Sequence, residues 1–117
     1  MSKASTSVLV FGVYLIGMGA GLLLMPDFVL GTLGFAPSND IWVRVVGALA
    51  LLLAFYYISA SRSSVTAFME WTVPGRIGIF LAFVLFVILG WVGPIMIGLG
   101  VVDLLGALWT RSALKAG

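Results

Sequence analysis

The sequence predicts an all-α fold: a four-transmembrane-helix bundle, with a short interfacial helix between spans 1 and 2. Three observations predict it. The 117 residues are 62% hydrophobic and 9% charged, with a mean hydropathy of +1.25, too little polar surface to cover a water-soluble domain of this length. Four apolar runs are each about the length a helix needs to cross a hydrocarbon core of roughly 30 Å. The Lys, Arg and Trp residues fall at the ends of those runs, where orientation and interfacial anchoring place them.

The first span covers 8–25 and stops at Pro26-Asp27. It is too long for a signal-peptide core and no small-x-small cleavage site precedes Pro26, so it reads as a retained anchor. The connection PDFVLGTLGFAPSND is too apolar for free solution and too short to cross, which suits a helix lying in the outer interface. The second span covers 41–59, with Asn39 or Asp40 as its N-cap. The third covers 74–91, with Pro74 in its first turn. The preceding loop, which holds Phe68, Met69 and Trp71 near Arg62 and Arg76, suits a stretch on the anionic cytoplasmic leaflet. Gly93-Pro94 gives a tight reversal, and the fourth span covers 94–110 before a short polar tail. No long linker interrupts residues 1–117, which read as one integral membrane domain.

Orientation follows from charge. With the N-terminus inside, Lys3, Arg62, Arg76, Arg111 and Lys115 share the cytoplasmic face, and only Arg44 lies at the other. That bias predicts a multi-pass protein with both termini cytoplasmic. The tryptophans give the same registration: Trp42 and Trp91 at the outer boundary, Trp71 and Trp109 at the inner. Small residues mark contact faces between helices in lipid. Gly17 and Gly21 form a small-xxx-small pair, and Gly47, Gly78, Gly100 and Gly106 offer further close approaches.

The chain has no cysteine and no histidine, which excludes disulfides, iron–sulfur ligation, imidazole-bound haem and His general bases. Six scattered basic residues form no nucleic-acid footprint. No metal site, cofactor or catalytic constellation is visible, so the reading is not an enzyme. Gly17, Gly19 and Gly21 sit inside an apolar span rather than in a phosphate loop. Three polar positions within the spans remain: Tyr14, Arg44 and Asp103. A charge at mid-span opposes insertion by roughly 2.5–3.5 kcal/mol. Asp103 therefore faces protein, on a stripe with Gly100, Gly106, Ala107 and Thr110. Arg44 and Tyr14 are its candidate partners, although Arg44 also suits Asp40 one turn away.

RVVGALALLLAFYY at 44–57, Gly75-Arg76 and DLLGALWT at 103–110 resemble the small four-helix membrane proteins of bacteria grouped as DoxX-like. The resemblance implies a four-helix bundle in the bacterial inner membrane with both termini cytoplasmic. It carries no activity and no cofactor. The size also resembles small multidrug transporters, but those hold their essential acid in the first helix, not the fourth. The expected role is a structural or accessory subunit of a larger membrane complex. Its partners would be the bilayer and that complex, or a second copy of the chain. The alternatives are a proton- or cation-coupled transporter using Asp103, and a membrane enzyme on a lipid-soluble substrate with Asp103 and Tyr14 as acid or base groups.

Overall fold

A computed structural model describes residues 1–38 and 40–116. The described chain is helical, with no strand, and has five helices: α1 (Lys3–Leu24), α2 (Pro26–Thr32), α3 (Ile41–Arg62), α4 (Thr66–Ile88) and α5 (Ile95–Ala116). The four long helices have 22 or 23 residues, so each is about 33 Å long at 1.5 Å per residue. All four are long and apolar enough to cross a membrane, and the short helix lies between the first two, as the sequence predicts.

The helix boundaries have local causes. Pro26 disfavours the α conformation at Met25, which sits at φ −136°, and then starts α2 with its preset φ. Helices α2, α3 and α4 each end in the same way, with a left-handed residue after the last turn: Gly34 (φ 83°), Ser64 (φ 52°) and Gly90 (φ 77°). In each, two backbone N–H groups fold back onto the final carbonyls, as Phe35 and Gly34 do onto Leu30 and Gly31 at 2.7 and 3.1 Å. Ser64 holds a conformation that glycine adopts without strain. Asp40 caps α3, its carboxylate accepting from the Trp42 N–H at 3.0 Å. Asn39, the alternative cap, lies outside the described residues. We expect Asp40→Ala to cost about 1 kcal/mol, measured by thermal unfolding in detergent.

Several span limits need correction. The third membrane helix begins at Thr66, not Pro74, so Pro74 lies inside α4 rather than in its first turn. A proline there removes the bond to the Glu70 carbonyl, a defect that membrane helices tolerate. The segment expected on the leaflet surface is therefore the first part of α4, and its Met69 is buried. α5 extends to Ala116 and takes in most of the expected polar tail.

The chain forms two compact units, Met1–Val8 with Ala60–Gly117, and Leu9–Ser59. In the first, α4 packs along α5. The stripe Gly100, Ala107, Thr110 and Ala113 on α5 is buried, and a Cβ on Gly100 would sit 3.2 Å from the Phe83 ring. In the second, the α1 and α3 backbones meet at Gly19 and Gly47. A Cβ on Gly47 would lie 2.7 Å from the Gly19 carbonyl oxygen. Gly21 packs against Val29 of α2. Among the described residues, a Cβ on Gly17 or Gly78 meets nothing within 4 Å, so within the chain the close approach runs through Gly19 and not Gly17. Trp42, Trp71, Trp91 and Trp109 are all exposed.

Candidate functional site

The first unit contains a buried polar chain built on three helices. Arg76, in the third turn of α4, is only 2% exposed. Its position four residues after Thr72 puts both side chains on one face of α4. Arg76 Nε donates to the Thr72 carbonyl at 3.2 Å, and Nη2 donates to Thr72 Oγ1 at 2.9 Å. The same Nη2 reaches across to Thr110 Oγ1 on α5 at 2.8 Å. Thr110 Oγ1 lies 2.7 Å from Ser7 Oγ at the start of α1.

The direction of this chain follows from counting hydrogens. Ser7 has one hydroxyl hydrogen and gives it to the Ala4 carbonyl at 2.7 Å. Thr110 must then be the donor to Ser7. Thr72 in turn gives its hydrogen to the Met69 carbonyl at 2.8 Å. Each hydroxyl thus accepts one bond and donates one, from the guanidinium outward to backbone carbonyls of α1 and α4. Bonds aligned in this way polarise one another in a low-dielectric interior. Thr110→Val removes one acceptor for Arg76 and one donor for Ser7. It should cost about 1–2 kcal/mol in thermal unfolding, while Ser112→Ala, at an exposed α5 position, should have no effect.

Asp103 lies two turns before Thr110 on α5 and is half-buried. The Arg76 charge attracts it within this unit. The sequence reading missed this cation because the span limit at Pro74 assigned Arg76 to the membrane surface. The i, i+4 pair Thr72–Arg76, aligned with a Ser/Thr on each neighbouring helix, was the available signal. The other two candidates belong to the second unit. Arg44 donates to the Leu23 carbonyl and so caps the last turn of α1. The Tyr14 ring packs on Phe11 with centroids 5.3 Å apart, and Phe11 in turn meets Tyr57 at 5.5 Å.

Among the described residues no group of three acidic, His or Cys side chains is placed to hold a metal. The arrangement can hold helices in register and shelter a charge. Four apolar helices of spanning length, one of them carrying an inward-bonded arginine, define a small multi-pass membrane protein. No family model, curated protein or solved structure matches the chain.

Proposed function

We propose that this protein is a structural or accessory subunit of a larger complex in the cytoplasmic membrane, a DoxX-like protein with both termini inside. The observation that carries this reading is the set of hydrogen bonds within the buried polar chain, in which Arg76, Thr72, Thr110 and Ser7 bond to one another and to backbone carbonyls. The polar side chains of this network serve cohesion. The long helices turn large apolar residues outward, among them Val13, Phe55, Leu81 and Leu105. Such faces suit lipid and the helices of another membrane protein. Purification in mild detergent should bring down a larger partner in fixed ratio, and Asp103→Asn should retain it. Loss of the partner with Asp103→Asn, with folding intact, would count against a purely cohesive role. The orientation has its own test, simplified by the absence of native cysteine. In intact cells, a membrane-impermeant maleimide should label Ser38→Cys and spare Lys115→Cys.

A coupled transporter is the second reading, favoured by a half-buried carboxylate, Asp103, within a helix of spanning length. It requires that Asp103→Asn abolish proton- or cation-driven flux in proteoliposomes while the protein stays folded. Flux unchanged by the substitution would dismiss it.

A further inference from the structure

In contrast to the buried hydroxyls around Arg76, one region of the first unit gathers solvent-exposed donors, Lys3, Ser64 and Thr66, around a cavity. Where α1 and α4 begin and α5 ends, a cavity of about 500 Å³ opens. Lys3, Ser64 and Thr66 form its polar wall, and Met69, Ala113 and Leu114 its apolar wall. Among the described residues, no carboxylate side chain lines it. The Ser2 and Ser5 hydroxyls beside it bond to each other at 3.0 Å. Among the described residues, the Lys3 ammonium and the Ser64 and Thr66 hydroxyls have no such partner. Val65, which opens α4, supplies no side-chain acceptor either, so the positive end of α4 lies beside this space together with the negative end of α5 at Ala113–Ala116.

One cation and two hydroxyls, with no carboxylate side chain among the described lining residues, suit an anion with several acceptor oxygens. The apolar wall suits the part of an amphiphile nearest its head group. Exposed Trp71 and Trp109, on the α4 and α5 turns toward this end, mark the level of the lipid head groups. We propose that the cavity binds a phosphate group, presented by an anionic phospholipid, through Lys3, Ser64 and Thr66. This site does not depend on the accessory-subunit reading.

Ser64 makes the test decisive. It occupies a left-handed position (φ 52°) where glycine is free of strain, so Ser64→Gly removes the hydroxyl without harming the turn. The full chain in neutral detergent is titrated with short-chain phosphatidylglycerol, phosphatidylcholine and inorganic phosphate, following tryptophan fluorescence and intact-complex mass. Phosphatidylglycerol should saturate the site and bind about tenfold more tightly than phosphatidylcholine. Lys3→Gln and Ser64→Gly should each weaken it by about tenfold, the loss expected for one charge-assisted contact. Ser64→Gly should do so while unfolding at a higher temperature than the parent. Arg111→Gln with Lys115→Gln, on the neighbouring groove, should leave binding unchanged. Competition by inorganic phosphate would support the site with a soluble anion as its ligand, and failure to compete would support the lipid. Absence of saturable binding, or equal weakening by the Arg111 and Lys115 substitutions, would overturn the proposal.

Discussion

Replacing Arg76 with Leu should destabilise the protein severely, by about 3–5 kcal/mol in thermal or denaturant unfolding. The side chain is almost fully buried and donates three hydrogen bonds, to the Thr72 carbonyl, Thr72 Oγ1 and Thr110 Oγ1. Its loss leaves Asp103 without the positive charge that attracts it in that unit. Much of the cost is the loss of these three bonds, which leaves the Thr72 and Thr110 acceptors unfilled, and the loss of the charge gives the prediction a second part. Asp103→Asn in the Arg76→Leu background should recover a fraction of the lost stability, whereas alone it should cost no more than about 1 kcal/mol. Arg76→Lys keeps the charge but loses the planar fork that reaches Thr72 and Thr110 together, so it should fall between parent and Arg76→Leu. Additive effects of the two sites would show that Arg76 and Asp103 act independently.

The second large effect concerns the contact between α1 and α3. A Cβ on Gly47 would lie 2.7 Å from both the Gly19 carbonyl oxygen and the Leu23 nitrogen, and a Cβ on Gly19 would lie 2.8 Å from the Gly47 oxygen. These neighbours are backbone atoms and cannot rotate away. Gly47→Ala should therefore force the helices apart at about 1–3 kcal/mol, and Gly47→Leu should cost more, as overpacking does. Gly17→Ala is the internal control. Open space surrounds that position, and alanine forms helix better than glycine, so stability should hold or rise. Equal damage at positions 17 and 47 would contradict this packing, and both variants can be read in one unfolding series.

The sequence carried the architecture well because spanning length, composition and capping are local properties. Asp40 illustrates this: an acidic residue just ahead of an apolar run has its geometry set by the next two residues. Pro74 shows where local reading stops. TAFMEWTV before it holds a glutamate and has little apolar periodicity, so a proline followed by an apolar run resembles a helix start. The helix instead begins two turns earlier and accommodates the missing bond. That displacement hid Arg76 and Thr72 as interior residues. Thr110 was legible as part of the small-residue stripe on α5, but Ser7 lies more than a hundred residues away and is joined to it only by folding. The glycines show the same boundary. A small-xxx-small pair at Gly17 and Gly21 and the true crossing at Gly19 differ by two residues, which is half a turn of helix, and spacing alone does not give the rotation about the axis.

Ser64 marks a different kind of exception. Two of the three helix-ending turns use glycine at the left-handed position and the third does not, at the residue whose hydroxyl borders the cavity. Ser64→Gly is thus expected to separate stability from binding within one substitution.

The most direct test of the central reading is the mass of the intact assembly released from its native membrane without detergent exchange. An accessory subunit predicts this chain in fixed stoichiometry with a larger membrane protein, and the same ratio for Asp103→Asn. A lone monomer, with no partner at stoichiometric level, would contradict it.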